Sequence, residues 1–193
     1  MGFYTDTANL IKKFEGFAKK AYWDVNAYRV GYGSDTLTLP DNTFRKVVKG
    51  DTTTEPLASL DLQRRIQNEF EPRVIKQLGK QYYDALPDTA KSSLLSLAYN
   101  YGSIPKKAII DAAKTGDVNK LAAAIVDSTK NDNKGMLQKR RKEEASYAMS
   151  FVKAVKGAAS YAGEKIEKNP LMTIALVAIL VVSAWYLKQT LKS

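Results

Sequence analysis

Glu15 and Asp24 stand nine positions apart near the start of a 193-residue chain. Glu15 lies beside Phe14 and Phe17, and a carboxyl among aromatic side chains is partly desolvated, which favours its protonated form. Asp24 falls in a stretch rich in turn-forming residues, where solvent keeps a carboxylate ionised. A protonated acid facing an ionised one is the minimum equipment for breaking a glycosidic bond. The first gives its proton to the leaving oxygen, and the second activates water or steadies the developing cation. Spacing alone does not select this reading, because most Glu/Asp pairs nine apart are surface charges.

Composition removes competing chemistries. The chain has neither Cys nor His. Disulfides are impossible, zinc hydrolases lack their usual ligands, and serine or cysteine hydrolases lack their usual base. No metal and no cofactor is expected, so carboxylates must carry any hydrolytic step. Lys and Arg number 30 against 20 acids, a formal charge of +10. Nucleic acid, anionic lipid and bacterial wall polymers all suit such a charge. Lys139-Arg140-Arg141-Lys142 is the main basic run. Nucleic-acid readout needs more such patches and a docking element, so nucleic acid is not expected as a partner.

The elements that must position the two acids follow from periodicity. Asp6 or Thr7 can cap a helix with Leu10, Ile11, Phe14 and Ala18 on its apolar face. Tyr22 to Leu39 carries Tyr, Val and Thr with Gly31 and Gly33 as breakers, which predicts short strands and turns. A polar loop with Pro40, Asp41, Asn42 and Gly50 follows. Beyond Pro56, Leu60, Ile66, Phe70, Val74 and Leu78 fit one helix face. Ser92 to Tyr101 is the most apolar stretch before residue 171 and reads as the central core helix. Asp117 caps another helix, and a last one starts near Met136. The predicted class is α+β: many helices with a small β-hairpin lobe after the first. No internal repeat is present.

The string F-E-G-F-x-x-K-A-Y-W-D-x-x-A-Y-R-V-G-Y-G over residues 14–33 resembles the phage-type lysozymes of glycoside hydrolase family 24. In that family a helix-terminal Glu is followed nine residues later by Asp, then by Thr, then by G-x-G. Glu15, Asp24, Gly31 and Gly33 match those positions. Leu86-Pro87, the Ala98–Gly102 run, Gly116-Asp117, and Gly135 with Arg140-Arg141 and Glu144 match later landmarks in order. The resemblance covers about residues 8–150 and implies a lysozyme-like fold over residues 1–150, peptidoglycan as substrate, and Glu15 and Asp24 as catalytic residues.

Three positions depart from the pattern. Arg29 stands where the family has Thr, which helps place the attacking water. Asp24 is one residue closer to Gly31, and Ser34 replaces a common His. Arg29 cannot copy a hydroxyl. It can pair with Asp24, or bind an acetamido or carboxylate group of the substrate, and Thr36 is a steric substitute. Three outcomes stay open: hydrolysis, lytic transglycosylation, in which the sugar's own hydroxyl is the nucleophile, and binding without turnover. Arg29, Tyr32, Thr36 and Asn100 are the expected substrate-binding residues. Tyr22, Trp23, Tyr28 and Tyr32 surround Asp24 in sequence and either line a saccharide cleft or pack the small lobe.

Leu171 to Leu187 is free of charge and would span about 26 Å as a helix, enough for a membrane core with slight thinning. Pro170 starts it, and Trp185 and Tyr186 suit the interface. The expected organisation is a helical stalk at 151–169, interrupted near Gly157 and Gly163, a transmembrane helix at 170–188 and a short tail at 189–193. No apolar leader precedes residue 17, so no cleaved export signal is expected. These features predict a single-pass protein of a virion membrane or a host inner membrane.

Overall fold

The opening segment folds as α1, Phe3–Glu15, in a computed structural model that describes residues 2–129 and 135–168. The helix starts earlier than the expected cap. Gly2 takes the N-cap position, and Asp6 falls in the first turn, where a carboxylate faces the positive end of the helix. Thr7 turns inward and shares a 2.7 Å hydrogen bond with Ser92. Leu10 and Ile11 enter the core. Gly16 adopts φ +65, which ends the helix after Glu15. Ala18, expected on the helix, therefore begins a strand.

That strand, β1 (Ala18–Asp24), pairs antiparallel with β2 (Ala27–Gly31). Tyr22 lies opposite Arg29, Trp23 opposite Tyr28, and Asp24 opposite Ala27. Alternation along each strand puts Tyr22, Asp24 and Arg29 on one face and Trp23 and Tyr28 on the other. Val25 and Asn26 make the turn, and Val25 sits at φ +51, a costly backbone for a β-branched residue. A second hairpin, β3 (Thr36–Thr38) with β4 (Phe44–Lys46), occupies part of the segment expected to be loop. Val30, Leu37 and Val47 form the core of this lobe, with Ala21, Tyr28 and Leu39 packed against it.

The lobe is joined to the rest by a long helical run: α2 (Glu55–Arg65), a π-helical turn (Ile66–Phe70) and α3 (Glu71–Leu78). Its buried stripe is Leu62, Ile66, Phe70, Val74 and Leu78, spaced by four. A spacing of four drifts around a 3.6-residue helix, and the wider π turn returns it to one face. Leu60, expected on that stripe, points outward because it is out of phase.

The remaining helices are α4 (Lys80–Asp84), α5 (Asp88–Tyr101), α6 (Lys107–Lys114), α7 (Val118–Asp127) and α8 (Met136–Ala148). The central α5 is buried along Leu94, Leu95, Leu97 and Ala98 and contacts α1, α3 and α8. The Asp117 carboxylate accepts from the amides of Asn119 and Lys120 and caps α7, as the sequence predicts. The described structure is thus mostly helical with two small two-stranded sheets.

The chain divides into two compact units, Met1–Ser150 and Phe151–Ser193. The last described helix, α9 (Ser150–Lys168), runs without a break through Gly157 and Gly163, where interruptions were expected. Each glycine costs a helix about 1 kcal/mol, too little to stop one of this length. Among the described residues no helix is long and apolar enough to cross a membrane. The expected span at 170–188 lies outside the described residues.

Candidate active site

Glu15 is the last residue of α1, so its side chain leaves the helix where the chain turns into the β lobe. One carboxylate oxygen accepts a 2.7 Å hydrogen bond from Nη1 of Arg140, 125 residues away. The Arg140 guanidinium also lies 4.8 Å from the Phe14 ring centre and donates to Glu144 at 3.1 Å. The expected apolar wall is therefore different in kind. Phe14 carries a guanidinium on its face, and Phe17 is exposed and packs on Tyr32. The Glu15 side chain is still largely sheltered, with 20% of its area open to solvent. Its second oxygen would lie 3.5 Å from a Cβ placed at Gly33, whose backbone has φ +79.

Gly33 is bonded to the other half of the site. Its carbonyl accepts from Arg29 Nη1 at 3.3 Å, while Arg29 Nε donates to Asp24 at 2.5 Å. Asp24 ends β1, and its side chain is about twice as exposed as that of Glu15. Arg29 thus bridges Asp24 of the hairpin and Gly33, the residue whose Cβ position faces Glu15. Arg29 pairs with Asp24, one of the two roles open to it.

Two residues expected to bind substrate make internal contacts. Tyr32 is 4% exposed, and its hydroxyl donates to Glu55 at 2.9 Å. Its carbonyl accepts from Tyr99 at 2.6 Å. Thr36 is buried and donates to Asp61 at 3.0 Å. Both side chains hold the lobe through these bonds. Asn100 is exposed near the end of α5, where its carbonyl oxygen accepts from Arg141 at 3.0 Å. Its amide group points to no partner among the described residues.

Reasoning from sequence missed Arg140 as the partner of Glu15 and missed Asp61 altogether. Asp61 on α2 is 2% exposed and accepts from Ser34 at 2.5 Å, Thr38 at 2.9 Å and Arg64 at 3.1 Å, besides Thr36. Ser34-x-Thr36-x-Thr38 is the readable signal, since hydroxyls at every second residue share one strand face and, if buried, require an acceptor. On α8, Arg141 and Glu144 are both fully buried and paired at 2.9 Å. Burial raises the Glu144 carboxyl above its usual range and lowers the Arg141 guanidinium, with their mutual attraction opposing both. Among the described residues no three His, Cys, Asp or Glu side chains are grouped to hold a metal ion.

No curated protein matches the sequence. The phage lysozyme family model matches residues 12–144, more than two thirds of the chain, and spans every contact from Glu15 to Glu144. The Glu15–Arg140 bond joins the two ends of that matched region, the hairpin with Asp24 lies inside it, and the chain therefore belongs to the phage lysozyme family, with a lysozyme-like function on peptidoglycan.

Proposed function

We propose that the chain is a muramidase cutting the β-1,4 bond between N-acetylmuramic acid and N-acetylglucosamine. The carrying observation is Glu15, sheltered and aimed by Arg140 at the edge of the Asp24 hairpin. Glu15 gives its proton to the leaving glycosidic oxygen as the bond from that oxygen to the anomeric carbon breaks. Water then forms the new bond to that carbon and passes a proton to Asp24. The test is clearing of isolated bacterial walls by the wild type and by Glu15→Gln. A wild type that clears and a variant that does not supports the reading, and equal clearing removes it.

The Arg29–Asp24 bond favours a second outcome on the same bond. A guanidinium on one oxygen of Asp24 draws that carboxylate away from water activation. The C6 hydroxyl of the muramic acid can then attack its own anomeric carbon, giving an anhydro sugar as in a lytic transglycosylase. Glu15 supplies the proton for departure and takes one from that hydroxyl. Mass spectrometry separates the products, which differ by one water.

For the location, Leu171 to Leu187 supports a single-pass anchor in a virion or host inner membrane. The reading also brings a wall-cutting unit close to its substrate at phage entry or release. Fractionation of infected cells and particles tests it. Recovery only as free soluble protein removes it, and protease access on intact spheroplasts sets the orientation.

A further inference from the structure

Four aromatic side chains surround Asp24 in the sequence, and the fold separates them. Tyr32 is buried with its hydroxyl on Glu55. Trp23 and Tyr28 meet edge to face at 5.1 Å on the side of the hairpin that continues the lobe core. Tyr22 alone shares the face of Asp24 and Arg29, directly opposite Arg29 in the strand register. It is 43% exposed, and its hydroxyl has no hydrogen-bond partner among the described residues. Its phenol lies in the fields of Asp24, Arg29 and Glu15 together, and partial burial with the two carboxylates raises its pKa above the usual 10.0.

We propose that Tyr22 is a substrate-contacting residue of this site, its ring carrying a sugar face and its hydroxyl bonding an acetamido or hydroxyl group beside the scissile bond. The inference rests on the glycan-cleaving reading above. An exposed aromatic with a free polar end fits an amphipathic sugar, which offers an apolar C–H face and a rim of hydrogen-bonding groups. The position also suits the chemistry. A ring on the face of Asp24 and Arg29, close enough to feel the charge of Glu15, holds the sugar beside both acids, which positioning catalysis requires. Trp23 is more exposed, at 60%, yet faces the wrong way, so exposure alone does not pick the contact.

The experiment uses the full-length chain in detergent micelles with Glu15→Gln to halt turnover. Binding of a tetrasaccharide of alternating N-acetylglucosamine and N-acetylmuramic acid is measured by titration calorimetry. Adding Tyr22→Phe weakens binding about threefold, the loss of one neutral hydrogen bond. Adding Tyr22→Ala weakens it about thirtyfold, because the stacking surface goes as well. Adding Trp23→Ala, on the opposite face of the same hairpin, changes binding less than about twofold. Tyr22→Phe keeps the bulk of the side chain, so it remains informative if Tyr22→Ala loses the fold. Binding by Tyr22→Ala within twofold of the parent overturns the proposal and leaves the muramidase reading standing. Equal damage from Trp23→Ala also overturns it, because the effect then belongs to the hairpin. No binding by any of the chains overturns both.

Discussion

Arg29 holds Asp24 through one oxygen and Gly33 through its carbonyl, so one side chain sets both the charge beside the hairpin acid and the path of the loop against Glu15. Replacing it with methionine keeps an unbranched apolar stem and frees that oxygen. If the ion pair withdraws Asp24 from water activation, Arg29→Met raises the share of reducing-end product over anhydro product in a mass spectrum of digested walls. An unchanged ratio shows that the pairing does not choose the outcome. Arg140 acts on the other acid. Its Nη1 fixes Glu15 while Nε stays on Glu144 and Nη2 on Ser96. Arg140→Met releases Glu15 from one orientation, and on the proposed role of Glu15 such a misplaced group costs about 100-fold in rate. Wall-clearing rates with binding measured in parallel check this, and the loss is expected in turnover more than in affinity.

At the scale of elements, the small lobe is held on α2 by Asp61 and the hydroxyls of Ser34, Thr36 and Thr38. Asp61→Ala leaves three buried hydroxyls and Arg64 without their acceptor, and breaking such a buried charged network costs about 3–5 kcal/mol. Urea unfolding followed by circular dichroism measures it, and a loss under about 1 kcal/mol shows that water replaces the carboxylate. Gly31 makes the second tie between lobe and helix. It has φ +63, and a Cβ there would come within 2.8 Å of the Ala58 Cβ on α2. Gly31→Ala is therefore destabilising by about 1–3 kcal/mol, through both backbone strain and overlap. Ala58→Gly relieves the overlap and not the strain, so the double variant recovers only part of the loss. The alternation of residues 34–38 and the glycines of G-x-G were readable in the sequence. Their partners on α2 were not, because 20 or more residues of chain separate them and no periodicity reports which helix a strand will meet.

Across the whole molecule, Glu71 on α3 accepts from Tyr4 on α1 and from Tyr83 on α4, each at 2.7 Å. Burial and then the bond to Glu71 push the Tyr4 phenol up to about 12, and the same causes raise Tyr83. A raised folded value means that the folded state keeps its proton longer than the unfolded chain does. The stabilisation is complete below the unfolded value of 10.0 and is lost as pH rises from there through about 12. The melting temperature should fall over that alkaline window, and the Tyr4→Phe, Tyr83→Phe double variant should show a shallower fall. A slope identical to the wild type removes these two groups as its source.

By itself the sequence determined the residue types available for chemistry, the main helices around a small β lobe, the cap at Asp117 and the family landmarks from Glu15 to Glu144. Such features are local: they follow from side-chain type, from periods of two or about four residues, and from turn-forming residues. The tertiary structure decided what each acid faces. Arg140 reaches Glu15 across 125 residues, Asp61 gathers three hydroxyls from a strand, and hairpin register turns Tyr22 toward the acids and Trp23 away. Such contacts depend on how elements pack and on which face of a strand survives a one-residue slip. The opening glutamate's partner, like the side chain that turns toward the acids, therefore exists only once the chain has closed on itself.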